Sequence, residues 1–104
     1  MEDLLTQEQF EALYNDTSKT QTFIVYFTAS WCGPCKALDC SAIAQESKAR
    51  GIPIYKCDYV KNEYTVGYCA VSSFPTFKYM MPRKPLSEIK SNNTLEVIEW
   101  INGL

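Results

Sequence analysis

Histidine is absent from this chain, and Cys32 and Cys35 have no second close cysteine pair beside them. A Cys-x-x-Cys spacing can be half of a zinc site, but here nothing at comparable spacing completes the four ligands. Long apolar runs are missing too. The longest uncharged one, Phe23 to Phe27, falls far short of the roughly 20 residues that cross a bilayer. Positive charge has no surplus: 10 basic against 12 acidic residues give a net charge of −2, which argues against nucleic acid or an anionic membrane surface as the main partner. The N-terminal residues Met1 to Glu8 are acidic where a secretory leader is basic, and no apolar stretch follows, so the expected location is cytoplasmic. Repeats, low-complexity tracts and linkers are also lacking. With 104 residues and a hydrophobic fraction of 46%, the chain is expected to form one ordered domain over residues 1–104.

What is present reads as alternating strands and helices. Thr6-Gln7-Glu8-Gln9 has the form of a capping box, with Phe10, Leu13 and Tyr14 following at helical spacing, so a first helix is expected over about 7–15. Leu4-Leu5 reads as a short strand before it, and Asn15 to Thr22 as a loop. Phe23 to Phe27 is β-branched and aromatic without polar alternation, the pattern of a central strand buried on both faces. After Cys35, Ala37, Leu38, Ala42, Ile43 and Ala44 interleave with charged and polar residues, which reads as one long amphipathic helix ending near Gly51. Ile52 to Cys57 reads as a strand parallel to the central one, completing a right-handed βαβ unit. A helix is expected within 60–70, strands over Thr76 to Met81 and Leu86 to Lys90, and a hairpin turn at Pro82-Arg83-Lys84-Pro85. Asn93-Thr94-Leu95-Glu96 caps a last helix whose Leu95, Ile98 and Ile101 are expected to face inward before Gly103 ends it. The element order is βαβαβαββα.

The chemistry concentrates in Trp31-Cys32-Gly33-Pro34-Cys35-Lys36, which follows the buried strand and opens a helix. Two cysteines so spaced can close into a disulfide, and a helix start favours the thiolate of the first. Cys32 is thus the expected nucleophile and Cys35 the thiol that resolves its mixed disulfide. Pro34 suits the first helical turn, since its φ is already helical and its missing N–H has no partner to lose there. Cys40, Cys57 and Cys69 lie on expected helices or strands, where a free cysteine acts as a small hydrophobe. A regulatory link through Cys69 is the alternative reading. An odd count of five cysteines fits a reducing compartment with one working pair.

Trp-Cys-Gly-Pro-Cys-Lys after Phe27-Thr28-Ala29-Ser30, with Phe74-Pro75-Thr76 about 40 residues later, resembles the thioredoxin family over essentially the whole chain. The resemblance implies an α/β thioredoxin fold, a central mixed five-stranded sheet flanked by four helices. It further implies a cis bond before Pro75, a shallow substrate groove formed by Trp31, Gly33, Pro34, Phe74 and Pro75, and a substrate-backbone contact at Phe74. The activity implied is reduction of disulfide-containing protein substrates by a cofactor-free monomer that a thioredoxin reductase or other electron donor recharges. An oxidase or isomerase, or a thioredoxin-fold binding module, is the alternative. Three positions depart from the family pattern. Tyr26 stands where a buried aspartate usually lies beneath the cysteine pair, and a phenol with a reference pKa of about 10 is a poor base at neutral pH. By family analogy Lys56 is the nearest other ionisable group that could modulate the pair. Cys40 replaces a helix-bending proline, and Ser91-Asn92 stands where the family has a glycine.

Overall fold

Residues 1–104 are described by a computed structural model, in which nine strands and helices follow one another in the expected order, with a 3-10 turn added between the second strand and the second helix. These are β1 (Glu2–Asp3), α1 (Gln7–Tyr14), β2 (Phe23–Thr28), a 3-10 turn (Pro34–Ala37), α2 (Cys40–Ala49), β3 (Ile54–Asp58), α3 (Glu63–Tyr68), β4 (Thr76–Met81), β5 (Lys84–Ile89) and α4 (Thr94–Asn102). The strands form one mixed sheet in the order β1-β3-β2-β4-β5. β2 pairs parallel with β3 and antiparallel with β4, which leaves it no free edge.

All six residues of β2 are buried, and the two faces of the strand explain why its sequence does not alternate. Phe23, Val25 and Phe27 pack with Phe10 of α1 and Val66 of α3 on one side of the sheet. Ile24 and Tyr26 pack with Ile43 of α2 and Val97 and Ile101 of α4 on the other. A strand covered by helices on both faces has no solvent side on which to place polar residues.

Local signals set most element ends. Thr6 and Gln9 form the reciprocal capping box of α1, Asn62 caps α3 and Asn93 caps α4 through their side chains. α2 runs out at Arg50, and Gly51 follows at φ +71°, a left-handed conformation that a residue without Cβ adopts freely.

Four expectations are corrected. The first strand is Glu2–Asp3 and not Leu4-Leu5. Leu4 adds one amide bond to the Lys56 carbonyl at 2.8 Å, but the amides of Leu5 and Thr6 turn to the Gln9 side chain, so the helix cap pulls the chain off the sheet. The helix expected to run unbroken from Cys35 is two pieces. Leu38 is extended at ψ 136°, Asp39 then caps α2 by accepting from the Ala42 amide at 3.0 Å, and its own N–H donates to Thr94 Oγ1 at 3.0 Å. β5 begins at Lys84, so the turn is Pro82-Arg83 alone. Proline with φ near about −65° leads into Arg83 at φ 64°, the pattern of a type II turn. Pro85 sits within β5, which is tolerated because β5 is an edge strand. Finally, Leu95 is 70% exposed while Val97 and Ile101 are fully buried. Leu95 lies two residues from Val97, about 200° around the helix, and cannot share its face.

Candidate active site

The chain leaves β2 at Thr28 and reaches the cysteine pair within four residues. Cys32 and Cys35 are joined in a disulfide, with Cα atoms 5.4 Å apart. The Cys32 amide donates to the Ala29 carbonyl at 2.9 Å, which turns the chain back on itself. Pro34 then starts the 3-10 turn that carries Cys35. The Cys35 N–H points at Cys32 Sγ from 3.2 Å. That donor stabilises negative charge on the Cys32 sulfur when the bond is reduced. Because the turn is only four residues long, one aimed amide supplies this effect here, and the macrodipole of a long helix does not. In the oxidised form Cys32 is 4% and Cys35 7% exposed, so solvent exposure does not rank the two sulfurs, and the Cys35 amide is what sets them apart.

On one side the disulfide is walled by aromatic rings. Trp31, 64% exposed, meets Phe74 edge to face at 5.7 Å and Tyr59 at 6.3 Å, and Tyr59 and Phe74 lie 5.8 Å apart. Tyr59 and Phe74 both pack against the cluster of Ala29, Cys32 and Cys35. Gly33 and Pro34 are exposed beside this wall, Pro75 is buried, and the Phe74–Pro75 peptide bond is cis. The fold thus brings Trp31 and Phe74 together, although they lie 43 positions apart in the chain. Tyr59 belongs to the same wall and is not legible from the motif. It follows directly on the end of β3, and its amide donates to the Thr28 carbonyl at 2.8 Å, which clamps it next to the disulfide loop.

On the other side lies a hollow of about 440 Å3, whose lining includes Cys32, Cys35, Tyr26, Cys40, Lys56 and Asp58. Tyr26 stacks on Phe77 with ring centroids 4.6 Å apart. Burial pushes its phenol up to about 12, with Cys40 and Asp58 adding to the rise and the Thr28 hydroxyl opposing it. The phenol is therefore neutral across the physiological range and carries no base. Lys56 is the register partner of Tyr26 across β2 and β3, and Asp58 that of Thr28. Asp58, buried at 8% exposure, is the group that reading the motif misses. Parallel pairing and a period of two place 26, 28, 56 and 58 on one face, a signal available once β2 and β3 are paired in register.

The thioredoxin family model matches residues 3–102. Among curated relatives, the chain is similar to thioredoxin of Geodia cydonium, 29% identical over 85 residues that make up 82% of this chain and 79% of that one. Thioredoxin of Oryctolagus cuniculus is 26% identical over 89 residues, 86% of this chain and 85% of that protein. Among solved structures, thioredoxin from Trypanosoma brucei brucei superposes with a TM-score of 0.81 at 28% identity, covering 97% of this chain and 87% of that one.

Proposed function

From a chain that belongs to the thioredoxin family, we infer a protein-disulfide reductase that works by dithiol-disulfide exchange. The observation that carries this reading is the Cys32–Cys35 disulfide, closed across three positions with the Cys35 amide aimed at Cys32 Sγ. In the reduced protein the Cys32 thiolate attacks one sulfur of a substrate disulfide. The bond between the two substrate sulfurs breaks, and Cys32 is left joined to one of them. Cys35, ionised, then attacks Cys32 Sγ, which re-forms the internal disulfide and releases the second substrate thiolate. A thioredoxin reductase or another electron donor returns the pair to dithiol.

Substrate lies along Trp31, Gly33, Pro34, Phe74 and Pro75. The exposed Trp31 ring offers apolar area, and the main chain of Phe74 takes part in no hydrogen bond within the chain, which leaves it able to pair with a substrate backbone as an added strand does. Three unpaired cysteines, Cys40, Cys57 and Cys69, support work in a reducing compartment such as the cytoplasm, with the monomer as the working unit.

Reduction of insulin disulfides with dithiothreitol as electron source tests the reading. The wild-type chain is expected to accelerate precipitation of the insulin B chain, and Cys32→Ser to reduce it to the rate of dithiothreitol alone. A wild-type rate equal to that background overturns the assignment. Cys35→Ser, which cannot resolve the mixed disulfide, retains bound targets on Cys32 and identifies them.

A further inference from the structure

Resolution of the mixed disulfide requires Cys35 to lose a proton, since the thiolate and not the thiol is the nucleophile. A buried thiol does this at neutral pH only with an acceptor in direct reach or one water away. Cys35 is buried, and the hollow it borders contains one carboxylate, that of Asp58. Asp58 Oδ2 accepts from the Ser30 hydroxyl at 2.8 Å, and Oδ1 from the Val60 amide at 2.9 Å. Both oxygens thus act as acceptors, and two of the roughly four lone-pair positions of a carboxylate remain for the hollow. Ser30 lies two residues before Cys32, so this hydrogen bond ties the carboxylate to the loop that carries the disulfide.

The other titratable groups on the hollow are Lys36 from the 3-10 turn, Lys56 of β3, Lys61 beyond it, Tyr26 of β2 and Cys40 of α2. None suits the task. An ammonium has no lone pair with which to accept a proton, the Tyr26 phenol is neutral, and a thiol must lose a proton before it can take one. At about 30 Å3 per molecule, the 440 Å3 hollow that both groups line has room for the one water that a relay from Cys35 to Asp58 requires.

We propose that Asp58, held by Ser30 and the Val60 amide, is the proton acceptor for Cys35 in the resolving step, acting through water in the hollow. The inference rests on the reductase reading. The Cys35 thiol proton passes to the Asp58 carboxylate, the Cys35–Cys32 bond forms, the bond from Cys32 to the substrate sulfur breaks, and the substrate thiolate takes the electron pair. Asp58 then returns its proton to solvent, so the cycle consumes no further reactant.

Stopped-flow mixing of the reduced full-length protein with substoichiometric Ellman's reagent separates the two steps. Attack by Cys32 releases a first thionitrobenzoate, and resolution by Cys35 releases a second. With Asp58→Asn, the first release is expected at the wild-type rate and the second about tenfold slower or more at pH 7. The wild-type second release should be nearly flat between about pH 6 and 8. That of Asp58→Asn should rise about tenfold per pH unit, because an unaided thiol with a reference pKa of about 8.5 must ionise on its own. An unchanged second release overturns the assignment. So does a slowed release that keeps the flat profile, which would show that Asp58 only positions the loop. If Asp58→Asn does not fold, the same readouts on Ser30→Ala decide, with a smaller slowing confined to the second release expected and equal rates overturning it. Absence of a second release in the wild type overturns the reductase reading itself.

Discussion

The two faces of the central sheet are built from the same strand and yet do different work. Towards α1 and α3, β2 presents Phe23, Val25 and Phe27, which pack with Phe10, Cys57 and Val66 into a closed apolar layer. Towards α2 and α4 it presents Ile24 and Tyr26, and at the end nearest the disulfide that face opens into the hollow with Lys56 and Asp58. The α1/α3 face can be explained by burial alone. The α2/α4 face is packed at one end and polar at the other, where β2 and β3 end together and their last residues, Thr28 and Asp58, line the hollow with Lys56. Stability should therefore be most sensitive on the closed face and redox chemistry on the open one.

The sharpest test of that contrast is Phe27→Ala. Phe27 is fully buried, and its truncation should cost about 3–5 kcal/mol, from lost apolar transfer and the cavity left behind. Urea unfolding followed by circular dichroism measures it, and a loss below about 1 kcal/mol would break the comparison.

Cys57, on the same face, makes that layer sensitive to alkali. Burial first, and then the neighbouring Cys69 and Asp58, push its thiol from 9.0 to about 12. Above pH 9 the unfolded chain loses a proton that the folded chain keeps, so stability present below the unfolded value falls as pH rises towards 12. At about pH 10.5 this one group should cost about 2 kcal/mol. Unfolding curves at neutral and alkaline pH should diverge, and those of Cys57→Ala should diverge less.

On the open face the sensitive quantity is thiol acidity. Tyr26→Asp introduces an anion near Cys32 and should raise its pKa by on the order of one unit through like-charge repulsion, read from thiolate ultraviolet absorbance. Tyr26→Phe, which keeps the stack on Phe77, should leave that titration in place. A folded Tyr26→Asp protein with an unchanged or lowered Cys32 pKa would mean that position 26 serves packing alone.

The smallest effect is expected where the two pieces after the disulfide join. Asp39→Ala removes the cap on the Ala42 amide and should cost about 1 kcal/mol, lowering Tm by about 4–8 °C in a chain of this size. Reductase activity at 25 °C should change little, because the disulfide turn ends before Asp39.

Legibility in the sequence followed distance along the chain. The α1 capping box, the Asn93 cap of α4, the buried central strand, the Gly51 stop and the order of strands and helices rest on residues within about four positions of one another, and all of them form. The inward face of α4 is not set locally: Leu, Ile and Val at 95, 97, 98 and 101 are consistent with more than one buried stripe, and the packing of α4 against α2 selects the one through Val97 and Ile101 and leaves Leu95 exposed. Residues of the aromatic wall were half legible. Trp31 and Phe74 come with the family motif, whereas Tyr59 is placed there by the end of β3.

By itself the sequence determined which atoms do the chemistry, since two cysteines at this spacing behind a buried strand need only the chain's own turn to meet. The tertiary structure decided how the break at Leu38 is anchored, where the N–H of the capping residue Asp39 bonds to Thr94 55 residues away, and the approach of Asp58 to a disulfide loop 28 residues upstream through Ser30. Both are contacts between elements distant in the chain. Their energy depends on the geometry with which strands pair and helices dock, and no local pattern encodes that geometry.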